Sequence, residues 1–147
     1  MPEILSTLEP DGALSVWDVA RLRRLSAALP RRRVPLDSLK NLDENLWFNT
    51  YGEAPTCRAV ALHAKRIYEA DLEYPVILSP EGEVMDGMHR IAKAWLLGMA
   101  DVLAVQFTVL PPPDEVIPDF NHARQASPAR PASGSATAEG APAVGES

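Results

Sequence analysis

Apolar side chains recur at three- and four-residue spacing in three stretches of this chain, and run together or alternate in the stretches between them. Val19, Leu22, Leu25, Ser26 and Leu29 share one stripe, which predicts a helix. It should start at the capping-box-like Ser15 and Asp18, after the Asp11-Gly12 turn, and end near Leu29 before Pro30, leaving Arg21, Arg23 and Arg24 outward. Cys57, Val60, Ala61, Ala64, Ile67 and Tyr68 predict a second helix over Pro55 to Ala70 with those residues as its buried face. His63 falls off the centre of that stripe and reads as a half-exposed surface side chain, with a site role open if the helix edge borders a pocket. Ile91, Ala92, Ala94, Trp95 and Leu96 support a third helix, which Gly98 closes in a left-handed cap.

Strand signals fill the gaps. Arg33 to Leu36 reads as a short edge strand, because Pro35 would weaken a central one. The run Val76-Ile77-Leu78, the turn residues Pro80-Glu81-Gly82 and the return Glu83-Val84-Met85 predict a hairpin. Val102 to Leu110 alternates, with Leu103, Val105, Phe107 and Val109 on one face, and predicts a last strand buried mainly on one side. Leu39 to Tyr51 reads as a loop or short helix anchored by Trp47, Phe48 and Tyr51. The expected fold class is therefore α/β in its α+β form: a mixed sheet with flanking helices.

Three segments follow: a helical extension over residues 1–32, a domain over 33–113, and a tail over 114–147. From Asp119 the chain is mostly Ala, Ser, Pro and Gly, which cannot offset the entropy of ordering, so a disordered tail is expected. Composition narrows the setting. In 147 residues with a net charge of −6, the apolar fraction is 46%, enough for a core, and no apolar run approaches the roughly 18 residues of a membrane span. No secretory signal pattern opens the chain and Cys57 has no internal partner, so a cytoplasmic protein is expected. The acidic balance opposes general nucleic-acid binding. Six arginines between Arg21 and Arg33 form a local exception, either a solvated face and basic connector or a seat for phosphate, DNA or an acidic protein partner.

Candidate chemistry concentrates at Val84-Met85-Asp86-Gly87-Met88-His89-Arg90, where a strand runs directly into a helix. The first N–H groups of a helix lack internal partners and attract anions. Gly87 would allow close approach, and Arg90 is suited to gripping phosphate through parallel hydrogen bonds. Asp86 competes with this reading, since as an N-cap it would occupy the same amides. His89 and Arg90 are cations in a first turn, where the macrodipole disfavours them, so an anion nearby is expected to offset them.

The order helix, hairpin, Asp86-Gly87-Met88-His89-Arg90-Ile91-Ala92-Lys93-Ala94, Gly98 and closing strand resembles the ParB/sulfiredoxin superfamily over about Arg33 to Leu110. That resemblance implies nucleotide phosphates bound by Gly87, Met88 and His89 main-chain donors and clamped by Arg90. Partition-type members resemble Gly-Glu-Arg-Arg, where this chain has Gly87-Met88-His89-Arg90. Sulfiredoxins resemble Gly-Gly-Cys-His-Arg, and Met88 stands at the position of their nucleophilic cysteine. Free-serine kinases of this fold resemble Asp-Gly-His-His-Arg, nearer to the sequence here. That branch implies phosphate transfer to a small hydroxyl compound, with ATP or ADP, or CTP as the alternative, and Mg2+ as cofactors. It also implies an acidic base, matched by Glu44 or its neighbour Asp43, with His89 assisting electrostatically.

No Walker loop, dinucleotide fingerprint or serine-nucleophile elbow is present, and His63, His89 and His122 lack metal-ligand spacing. Trp47-Phe48, beside the acidic pair, is the aromatic pair placed to border a nucleobase. The alternative function is a non-catalytic accessory module that binds DNA or a protein through the arginine-rich segment.

Overall fold

Strands β1 (Ile4–Leu8) and β2 (Leu14–Asp18) precede helix α1 (Val19–Ser26) in a computed structural model that describes residues 3–49 and 52–121. They are followed by β3 (Arg32–Pro35), 3-10 turns at Leu36–Ser38 and Lys40–Asp43, and α2 (Cys57–Glu69). The hairpin β4 (Val76–Leu78) and β5 (Val84–Asp86) leads into α3 (Met88–Leu96), then β6 (Asp101–Gln106) and β7 (Glu115–Ile117). The fold is α+β, as the pattern predicts, with a three-stranded sheet ordered β1-β2-β7 and a four-stranded sheet ordered β3-β6-β4-β5.

The described residues fall into two compact units, one within residues 3–6 and 16–115 and one within residues 7–15 and 116–121. In the second, the Asp11-Gly12 turn forms as expected: Glu9 N–H donates to Ala13 O at 2.8 Å, and Asp11 Oδ1 accepts from Ala13 N–H at 2.9 Å. The first unit holds the four-stranded sheet. β3 is an edge strand ending at Pro35, as predicted, and pairs antiparallel with β6. β4 pairs antiparallel with β5 but parallel with β6, because α3 carries the chain across between them.

The two central strands are covered on both faces. Val76, Leu78, Val102 and Ala104 pack with Val34, Leu36, Leu39, Ile91 and Ala94, while Ile77 and Val105 point the other way, to Trp17, Leu22, Met85 and Phe107. This corrects the expectation of a last strand buried on one side: β6 is interior, and Val109 beyond its end is exposed. It also removes the expected boundary at residue 33, since Leu22 of α1 is fully buried in the second of these clusters. The segment expected to be a helical extension contains β1 and β2 before α1. Residues 14–18 alternate in burial with Ser15 and Trp17 inward, so they form strand, and helix starts only where Asp18 Oδ1 accepts from Ala20 N–H at 3.0 Å. The segment expected to be a disordered tail contains a strand at Glu115–Ile117; residues 122–147, with His122, lie outside the described residues, as does Tyr51.

Helix α2 differs most from its prediction. It rests on α3 through a narrow stripe of Ala59, His63 and Ile67, and its C-terminal carbonyls are capped by Lys93, whose Nζ donates to Tyr68 O and Ala70 O at 2.8 Å. Cys57, Val60 and Tyr68, expected inward, are exposed, and His63, expected half-exposed, is only 6% exposed. Periodicity reveals that a helix has an apolar side; it does not reveal which side a neighbour covers.

Candidate functional site

Gly87 marks the strand-to-helix junction that the sequence singled out. Its φ of 115° and the approach of β4 both demand glycine: a Cβ here would lie 2.6 Å from Val76 Cγ1. The glycine therefore serves strand-helix packing, not only access for a ligand. No side chain caps α3, and the first intrahelical bond runs from Ile91 N–H to Gly87 O at 3.0 Å. The amides of Met88, His89 and Arg90 thus have no intrahelical acceptor. Asp86 does not compete for them as an N-cap would.

Asp86 instead turns to two guanidiniums. Its Oδ2 accepts from Arg23 Nε and from an Arg90 terminal nitrogen, both at 3.0 Å, and Oδ1 takes a second Arg23 hydrogen bond at 3.3 Å. The Asp86 hydrogen bond is the main cause that raises the Arg23 pKa above its ordinary value. Arg90 also donates to Tyr74 O and Pro75 O at 3.1 and 2.9 Å, so it ties the first turn of α3 to the entry of β4. The predicted phosphate clamp is thereby engaged inside the protein, and the anion expected to offset the first-turn cations is Asp86.

A cavity of about 940 Å³ opens at this junction, lined among others by Arg23, Arg31, Arg66, Asp86, Gly87, His89 and Arg90. Arg31 and Arg66 form no ion pair among the described residues. Sequence reasoning missed Arg66 as a site residue, since on α2 it reads as one more surface cation. Of the predicted basic run, Arg21 pairs with Asp114 at 3.1 Å and Arg33 with Asp101 at 2.7 Å, while Arg32 bonds to Gln106. Much of that run is engaged within the fold.

His89 borders the cavity from the first turn of α3, and its other side meets a cluster that the sequence did not reveal. His63 Nδ1 lies 2.8 Å from His89 Nε2, and His63 Nε2 lies 2.6 Å from Glu53 Oε1. Trp47 stacks on both imidazoles, with ring centroids 4.3 Å from His63 and 4.7 Å from His89, and Phe48 meets His63 edge-on. The loop bringing these residues together is closed by Glu53 N–H to Trp47 O at 3.2 Å and by Asn45 Oδ1 accepting from Phe48 N–H at 3.0 Å. The aromatic pair expected beside a nucleobase covers histidines. The one available sequence signal was the i, i+4 spacing of Ala59, His63 and Ile67, a narrow stripe outweighed by the apolar one.

Burial is the largest cause lowering the His89 pKa, followed by the charges of His63, Arg66 and Arg90, and it falls from 6.5 to about 4. His89 is therefore neutral near pH 7 and does not supply the cation expected of it. A base whose pKa falls on folding binds its proton first in the unfolded chain. Between pH 6.5 and about 4 the unfolded state holds more protons, so stability is expected to drop as the pH falls through that window. For a half-buried ring the loss should be about 1–2 kcal/mol. Urea midpoints at pH 7.5 and pH 4.5 should converge for His89→Gln relative to wild type; equal pH slopes would refute the effect.

Asp43 and Glu44 lie elsewhere. Both are exposed at the end of the second 3-10 turn, and Glu44 Oε1 accepts from the buried Asn41 Nδ2 at 2.8 Å. Glu44 borders a separate cleft of about 190 Å³ with Leu42, Trp47, Phe48 and Met88. The structure does not bring either carboxylate into the cavity that holds Gly87, His89 and Arg90. Among the described residues no three His, Cys, Asp or Glu side chains converge on a metal position, and no helix is long and apolar enough to cross a membrane. No family model, curated protein or solved structure matches this chain.

Proposed function

We propose that this domain binds a nucleotide or other phosphorylated small molecule in the cavity at the start of α3 and transfers phosphate to a small hydroxyl compound. The observation that carries the reading is that Arg31 and Arg66, which form no ion pair among the described residues, both line a cavity that also contains an uncapped helix start. Arginine binds phosphate through paired N–H groups, and the α3 amides add donors oriented by the backbone. The resemblance of Asp86 to Ala94 to ParB/sulfiredoxin sequences supports the same assignment. In the transfer, the acceptor oxygen bonds to the terminal phosphorus as the bond to the leaving nucleoside diphosphate breaks with its electron pair. His89, neutral and beside the cavity, receives the hydroxyl proton.

Mg2+ is a poorer match to these side chains than phosphate is. Asp86, the carboxylate nearest the turn, already holds two guanidiniums, so a magnesium ion belongs here only as a companion of the nucleotide. Calorimetry with ATP, ADP and CTP is expected to detect binding by the wild type. Arg31→Ala and Arg66→Ala should each weaken it about tenfold or more, the loss of one charged hydrogen bond. Absence of heat with all three nucleotides would overturn the reading, as would affinities that ignore both arginines.

A further inference from the structure

We propose that Glu53, His63 and His89 form a proton relay, in which a proton taken up at His89 Nδ1 from the cavity is exchanged for the one on His89 Nε2, which passes to His63. A carboxylate only accepts hydrogen bonds, so the contact of 2.6 Å to Glu53 places a hydrogen on His63 Nε2. Neutral His63 then accepts at Nδ1, and His89 donates from Nε2 across 2.8 Å. The remaining ring nitrogen, His89 Nδ1, has no partner among the described residues, and His89 is one of the residues that line the cavity. A proton arriving at Nδ1 makes His89 an imidazolium, and transfer of the Nε2 proton to His63 Nδ1 returns His89 to neutrality. As the Nδ1–H bond forms, the bond from that hydrogen to its donor in the cavity breaks and leaves its electron pair on the donor; within the pair, the His89 Nε2–H bond breaks as a His63 Nδ1–H bond forms.

The charges around the pair set the direction. On His89 a positive charge is opposed by Arg66 of α2 and Arg90 of α3, and the nearby Asp86 is already shared between Arg23 and Arg90. On His63 the same charge faces the Glu53 carboxylate, which is half exposed and in reach of water. Trp47 covers both rings and helps keep them within 18° of coplanar, so the nitrogen-to-nitrogen line is fixed. His63 and Glu53 are thus positioning residues, with both ring nitrogens of a buried histidine bonded in series. That the proton originates on a bound hydroxyl rests on the function proposed above; the relay itself does not.

Nitrogen NMR of the histidine rings in the full chain, followed without ligand from pH 8 to 4.5, tests it. As the pH falls toward 4.5, His89 is expected to stay neutral while its hydrogen moves from Nε2 to Nδ1. Glu53→Gln should move the midpoint of that tautomer change to lower pH, since the carboxylate facing His63 is lost, and His63→Gln should abolish the change. The relay is overturned if His89 charges first, if its hydrogen stays on Nε2 throughout, or if Glu53→Gln leaves the midpoint in place. Failure of ATP, ADP and CTP to bind would remove the transfer reaction while leaving this titration to decide the relay.

Discussion

Gly87→Ala is expected to destabilise the protein by about 2–5 kcal/mol, the sum of a backbone conformation hostile to L side chains and an overpacked core. The added methyl would meet Val76 Cγ1 at 2.6 Å, Val76 Cβ at 2.9 Å and Val76 Cα at 3.2 Å, so rotating one side chain cannot relieve it. Val76 is itself fully buried between α3 and β6, which leaves it nowhere to retreat. Gly98 supplies the control. Its φ is also positive, at 75°, but nothing lies within 4 Å of its missing Cβ, so Gly98→Ala should cost only about 1 kcal/mol. Urea unfolding followed by circular dichroism measures both; equal losses would show that the contact with Val76 contributes nothing.

Asp86→Ala should cost about 3 kcal/mol, because it leaves the Arg90 guanidinium, 14% exposed, without its carboxylate. Removing Arg90 as well should recover part of that loss, so Asp86→Ala with Arg90→Met is expected to be less destabilised than the two single changes added together. Strict additivity would mean that the ion pair is not what holds the turn. The same substitution has an opposite expected effect on the proposed ligand. Asp86 occupies Arg23 and Arg90. Without it both guanidiniums lose a competing carboxylate beside the cavity, and ATP affinity should rise several-fold while stability falls. A drop in both would place Asp86 in ligand binding rather than in competition with it.

Local chemistry made much of the fold legible. The run Val76-Ile77-Leu78, the Pro80 to Gly82 turn and the Asp86-Gly87 break each specify their structure within a few residues, and the hairpin and α3 stand where those signals lie. The same holds for Pro35 at the end of an edge strand. Errors arose where one pattern admits two partners. Residues 14–18 carry both a helix-start signal and a strand's alternation, and the buried indole of Trp17, which donates to Pro111 O at 2.9 Å, selects the strand. That partner is far along the chain and no local rule contains it.

The site divides in the same way. Sequence alone determined that a strand meets a helix at Gly87, and it led to the expectation of an anion beside the first-turn Arg90, because backbone geometry and helix electrostatics act over neighbouring residues. Tertiary structure decided that the anion is Asp86, that Arg90 is tied down while Arg31 and Arg66 have no ion pair among the described residues, and that His63 turns inward to join His89 and Glu53. The last of these outcomes depends on which side of α2 packs against α3, and an apolar stripe that remains exposed carries no mark in the sequence to distinguish it from one that is covered.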